Sequence, residues 1–104
     1  MMKTHTETFA VRGTECDIFR RWRLDAMFLN MQEVGETHAK ALGFGYDAML
    51  SRGFFFALTR IHVSVFKAPV SGQVITHTTW PGVSNRFFCP RFHEFRAEDG
   101  TLLA

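Results

Sequence analysis

Residues 24–43 read LDAMFLNMQEVGETHAKALG. Leu24, Phe28, Met31, Gly35, His38 and Leu42 recur at steps of four, three, four, three and four, which is one stripe of an α-helix of about five turns. Asp25 lies in the first turn, where a negative charge favours the helix dipole. Gly43 stands just past the last apolar position, where a left-handed residue commonly closes a helix. Gly35 sits on the stripe at a cost of up to ~1 kcal/mol against Ala, so a second backbone is expected to pass close to it. At ~1.5 Å per residue the helix is about 28 Å long.

On either side of this helix the period changes to two. Thr6–Arg12 (TETFAVR) partly alternates and reads as a strand ended by Gly13, and Thr14–Arg23 as a connection. Gly43–Gly53 reads as a loop with one short helical turn. Phe54–Phe66 is expected to be a long strand, with Ile61, Val63 and Val65 opposed to Arg60, His62 and Ser64. Ala68–Gly72 is a turn. Gln73–Trp80 is a β-branched strand stopped by Pro81 and Gly82. Arg86–Ala97 is a further strand, with Pro90 at a bulge or an edge. Glu98–Thr101 is a hairpin turn of the Asp-Gly kind, and Leu102–Ala104 begins another strand. The order is strand, long helix, three antiparallel strands and the start of a fourth. That is an α+β chain in which an antiparallel β-sheet wraps around one long central α-helix, its last strand truncated.

Composition narrows the functional classes. The chain has 104 residues, enough for one domain over 1–104. Hydrophobic residues at 46% and charged residues at 21% fit a globular chain and not a disordered one. A net charge of +2 is too small to argue for nucleic acid. Cys16 and Cys89 form neither a CxxC nor a CxxxH group, so no metal site is expected, and two thiols suit a reducing cytoplasm. The N-terminal residues show no secretory apolar region, and no run is long enough to span a membrane. The unusual feature is 12 Phe. That much aromatic surface implies a large core, an interface or a pocket for an apolar ligand.

The segments LDAMFLNMQEVGETHAKALGFGYDAM, FFFALTRIHVSVFKAPVSGQVITHTTWP, RFFCPRFHEFRAEDGTLLA and FAVRGTECD together resemble the acyl-ACP thioesterase family over essentially the whole chain. Asn30-x-Gln32-Glu33 with His38, and the Thr79-Trp80 strand ending, are the most specific parts. The resemblance implies a hotdog fold. Members of that family carry two tandem hotdog domains, and this chain resembles the first. The second, which in the plant-type enzymes supplies the Asn, His and Cys or acidic catalytic set, has no counterpart here.

Thioester hydrolysis needs an oxyanion donor, which helix-terminal N–H groups can supply, and a group that activates water. By likeness to single-domain hotdog enzymes, Asp17 before the helix and Glu33 on it are candidate carboxylates. The glycine and histidine that usually follow the first of these are missing from this sequence. His38 on the stripe and Asn30 complete the catalytic candidates. Each also has an ordinary reading: a loop-capping Asp17, a solvated Glu33, a hydrogen-bonded packing His38, a solvent-facing Asn30. Arg20, Arg21 and Arg23 beside Trp22 could steer an acidic carrier protein or meet a pantetheine phosphate, or be a solvated loop. Phe55, Trp80 and Phe88 could line an acyl tunnel, or fill core and interface. The expected function is hydrolysis or binding of fatty acyl thioesters of acyl carrier protein or CoA, with no cofactor. The alternative is a non-catalytic acyl-binding or dimerisation half. A homodimer is expected, because a long unpaired strand edge is normally covered.

Overall fold

The computed structural model describes residues 4–43, 45–53, 60–83 and 89–104. In chain order the elements are β1 (His5–Ala10), a 3-10 turn (Gly13–Glu15), α1 (Leu24–Ala41), α2 (Tyr46–Ser51), β2 (Val74–Pro81) and β3 (Arg91–Ala97). The strands form one antiparallel sheet in the order β1-β2-β3, and α1 lies against it. The register pairs Phe9 with Ile75 and His5 with Thr79 on one side, and His77 with Phe95 and Thr79 with His93 on the other.

The helix starts and stops where its sequence directs. Arg23 is extended and its carbonyl accepts from Met27 N–H at 3.0 Å, so the first turn forms without a side-chain cap. Gly43 takes φ +85° and donates its N–H to the Lys40 carbonyl, which closes the C-terminus as a left-handed residue does. The buried face is rotated from the expected stripe. Gly35 and His38 are buried, but with Ala26, Met27 and Val34, while Leu24 is exposed. The sheet contacts the side of the helix that faces it, and a spacing rule locates a stripe only to within about one residue's rotation.

The core joins the N-terminal half of α1 to the sheet. Trp22, Ala26 and Met27 pack with Val11, Ile75, Phe95 and Leu103. The Trp22 ring meets Phe95 edge-on at 5.6 Å and Phe9 at 5.8 Å, and its indole N–H donates to Glu15 at 3.2 Å. These inward positions are every second residue of their strands, as pleating requires. The outward positions of β1 and β2 carry Thr6, Thr8, Thr76 and Thr78, whose hydroxyls pair across the strands at 3.1 and 3.3 Å.

Two expectations are corrected here. The first four residues of the expected Phe54–Phe66 strand, and two more, fall outside the described residues. The described remainder, 60–66, has no place in the sheet. Pairing begins only at Phe66 and Lys67, whose N–H groups donate to the Leu103 carbonyl at 2.8 and 3.1 Å. Alternation prepares a segment for two environments, but a strand also needs a neighbouring backbone, and residues 60–65 have none among those described. The neighbour of Gly35 is not a backbone either. A Cβ placed there would lie 3.2 Å from Arg91 Cδ, 3.6 Å from Arg91 Nε and 3.8 Å from His93 Cε1. Glycine makes room for an arginine side chain.

Candidate functional site

Along the seam between α1 and the sheet, apolar packing gives way to polar side chains beyond Met31. On β2 the inward series Ile75, His77, Thr79 passes from aliphatic to polar, and on β3 the series Phe95, His93, Arg91 does the same in the opposite chain direction. Antiparallel pairing brings the two polar ends together, opposite Asn30, Gly35 and His38 of α1. His38, His77 and Thr79 are all 0% exposed.

Two hydrogen-bonded chains fill this end. In the first, Asn30 Nδ2 lies 2.8 Å from His77 Nδ1, and His77 Nε2 lies 2.9 Å from His93 Nδ1. An amide nitrogen can only donate. His77 Nδ1 therefore accepts, its proton sits on Nε2 and is donated to His93 Nδ1, and His93 keeps its own proton on Nε2. Both rings are neutral in this arrangement. Burial, with His93 and then His5 nearby, pushes His77 down to about 3, and burial with the Arg91 charge pushes His93 down to about 4. In the second chain Arg91 Nη1 donates to His38 Nδ1 at 2.9 Å and to Thr79 Oγ1 at 3.3 Å, and Thr79 donates on to the Phe92 carbonyl at 2.8 Å. The His5 ring stacks on His38 at 5.6 Å and bonds Glu7 at 2.8 Å.

Next to the apolar half lie two shallow depressions that share Leu24 and Met27. One, of about 220 Å3, is lined by Phe28 and Met31 of α1 and by Ile61 and Val63. The other, of about 380 Å3, reaches Arg21, Arg23, Val65 and Pro69.

Of the residues singled out by sequence, Asn30 and His38 enter the seam. Asp17 does not: its Oδ1 accepts from the N–H groups of Phe19 and Arg21 at 2.9 and 3.0 Å, and Oδ2 meets Arg21 Nε at 3.2 Å. Those bonds, the Arg21 N–H foremost, hold its carboxyl below the usual carboxylate range, and they fold the loop so tightly that Arg20 takes φ +67°. Glu33 is exposed on the helix. Arg21 pairs with Asp17 and lies over the Phe19 ring, and Arg23 pairs with Asp25 at 3.2 Å. Arg20 is exposed without an ion pair among the described residues. Trp80 stands on the outward face of the sheet, stacked on Phe92 at 6.0 Å, away from α1. Phe55 and Phe88 lie outside the described residues. Sequence reasoning missed His77, Arg91 and His93. Their signal was available: each occupies an inward position of an alternating strand, His77 two residues from Ile75, and His93 and Arg91 two and four residues from Phe95. Among the described residues, no group of three or more His, Cys, Asp or Glu is placed to hold a metal ion.

The family model for the acyl-ACP thioesterase N-terminal domain matches residues 2–104. The chain belongs to the acyl-ACP thioesterase family. Among relatives of this family, the dodecanoyl-[acyl-carrier-protein] hydrolase of Cinnamomum camphora is 30% identical over 98 residues, covering 88% of this chain and 25% of the relative. The oleoyl-acyl carrier protein thioesterase 1 of Arabidopsis thaliana is 28% identical over 83 residues, covering 74% and 23%. This thioesterase-family chain thus spans about a quarter of the length of the curated relatives it matches. The 12:0-ACP thioesterase of Umbellularia californica superposes with a TM-score of 0.85 at 29% identity, over 96% of this chain and 39% of that one. An acyl-ACP thioesterase from Bacteroides thetaiotaomicron reaches a TM-score of 0.93 at 20% identity, over 97% and 42%, a likeness of fold. The fold is the hotdog fold of these thioesterases. Among the described residues no helix is long and apolar enough to cross a membrane.

Proposed function

We propose that this chain, a single hotdog unit over residues 1–104, binds the fatty acyl group of an acyl-ACP thioester and does not by itself hydrolyse it. The observation that carries this reading is the open apolar depression along α1, between Phe28 and Met31 on one wall and Ile61 and Val63 on the other. An apolar cleft of this kind takes a chain by burial of CH2 groups, each contributing about 0.8 kcal/mol. The hydrolytic alternative needs a group that can take a proton from water. Asp17 is held as a structural carboxylate, and the His77 and His93 rings are engaged as neutral links, which leaves Glu33 and His38 as the remaining candidates. Arg20, exposed and without an ion pair among the described residues, is the residue of the basic loop that we assign to meeting an acidic carrier. Phe55 and Phe88 remain candidate acyl contacts. We place the chain in the cytoplasm, a reading supported by Cys16 and Cys89 both standing as free thiols; thiol labelling before lysis that finds either one blocked removes it.

The test is direct. Purified chain is mixed with dodecanoyl-ACP and dodecanoyl-CoA, and thiol release is followed beside equilibrium binding. Saturable binding with thiol release at the uncatalysed rate is the expected outcome. Turnover abolished by Glu33→Gln overturns the binding-only reading in favour of hydrolysis. Sedimentation of the same sample checks the homodimer that we keep as part of this proposal, and a 12 kDa species removes it.

A further inference from the structure

Arg91 is a charged group in an unusual setting. Its side chain is half-buried against α1, and burial pulls its pKa below the ordinary guanidinium value. A guanidinium nonetheless stays protonated in a protein, so the charge remains in the seam. Buried charges are ordinarily paired with an opposite charge, because their desolvation is otherwise uncompensated. Among the described residues Arg91 makes no ion pair: its partners there are His38 Nδ1 and Thr79 Oγ1, both reached by Nη1 alone. The residues outside the description, 1–3, 44, 54–59 and 84–88, include no Asp or Glu, so none of them can supply the missing carboxylate.

The edge of the guanidinium formed by Nε and Nη2 has no hydrogen-bond partner among the described residues. This is the edge that binds carboxylate or phosphate with two parallel hydrogen bonds. The glycine beside it leaves that side of the arginine unfilled, where a Cβ would sit 3.2 Å from Cδ, a tight contact, and 3.6 Å from Nε. His93, whose Nε2 carries the proton at the end of the Asn30–His77–His93 chain, adjoins the same glycine. Charge, an unused two-donor edge and a neighbouring imidazole N–H therefore converge where α1 lacks a side chain.

We propose that Arg91 anchors an anion-binding site at the polar end of the helix–sheet seam, taking an oxyanion that accepts two hydrogen bonds from its Nε–Nη2 edge. Such an oxyanion could be the carboxylate of a fatty acid or the phosphate of a carrier's pantetheine arm. The site itself follows from Arg91 and Gly35 and does not depend on the acyl-binding reading, which supplies only the choice of probes.

The test uses the whole 104-residue chain, following the Arg91 Nε–H resonance by NMR during titration at constant ionic strength with sodium octanoate, inorganic phosphate and octanol. Either anion should shift the resonance saturably, while octanol should not. Octanoate binding alone assigns the site to a fatty carboxylate, phosphate binding alone to the carrier arm, and both outcomes support it. Gly35→Ala closes the open edge and should weaken anion binding about tenfold or more with the fold retained by circular dichroism. Arg91→Met should abolish the binding; should that variant fail to fold, the wild-type resonance still decides. An Arg91 signal unmoved by both anions at about 10 mM, or anion binding unchanged in Gly35→Ala, overturns the proposal. If acyl binding fails while the anion shift persists, the two proposals separate.

Discussion

The two halves of one helix–sheet seam are built on different physics. Around Trp22, Met27, Ile75 and Phe95 the contacts are apolar, non-directional and contribute in proportion to area removed from water. Around Asn30, His38, His77, Thr79, Arg91 and His93 the contacts are directional, and each donor needs an acceptor at 2.8–3.3 Å. Among the described residues no buried side-chain polar atom lacks a partner. The apolar half is the source of stability, since burial there carries no desolvation cost. The polar half contributes less net energy, because hydrogen bonds to water are exchanged for hydrogen bonds to protein. What it adds is one permitted protonation state and one permitted alignment of helix on sheet. A satisfied polar network of this kind rigidifies, and loses that property if one member is removed.

Substitutions can break this contrast, and the largest effect should come from the apolar half. Phe95 is 2% exposed, packed between the Trp22 and His77 rings. Phe95→Ala should cost about 3–5 kcal/mol in urea unfolding, a large share of the ~5–15 kcal/mol available to a domain. A loss below about 1 kcal/mol would mean that the seam is not held by this end. Acid should next undo the polar half. His77 and His93 lie at about 3 and about 4, below their ordinary value of 6.5. They are faced by Asn30 and His38 from α1, His5 and Glu7 from β1, and Arg91 on β3. The unfolded chain takes up protons first, so stability should be full above pH 6.5 and decline as the pH falls toward 4. The slope should be on the order of 1 kcal/mol per pH unit for each ring. Asp17 and Asp99, whose pKa values are also lowered, act in a separate window below 3.8. Urea midpoints that stay flat from pH 7 to 4.5 would contradict the neutral Asn30–His77–His93 chain. The smallest effect should come from Thr79→Val, which keeps the shape and removes the hydroxyl that accepts from Arg91 and donates to the Phe92 carbonyl. A loss of about 1 kcal/mol is expected at pH 7. A gain in stability would show that this half is held by shape and not by its hydrogen bonds.

Much of the frame was legible because it rests on local rules. The helix bounds followed from apolar spacing and from Gly43, whose φ of +85° suits a residue without a Cβ. β2 and the end of β3 followed from β-branched alternation and the turn residues around them. The site was less legible. Trp80 was expected among acyl contacts, yet strand parity sends it to the face opposite α1, with Phe92. Residues 60–66 have the cleanest alternation in the chain and no place in the sheet formed by the described residues, because pairing depends on a neighbour that alternation cannot name. His77 and His93 were read only as strand residues, because alternation places them on a face without naming the side chains they meet.

The sequence by itself determined where the helix lies, which residues share a strand face and that both thiols stand apart from any metal motif, since these depend on neighbours a few residues away. Only the tertiary structure decided that Asn30 meets His77, forty-seven residues on, and that Arg91 reaches His38 across fifty-three. Those contacts fix which rings stay neutral and leave the Arg91 guanidinium in the seam without a counter-charge among the described residues. The physical reason is that protonation and pairing depend on what surrounds a group in space, and antiparallel register, not sequence distance, sets those surroundings.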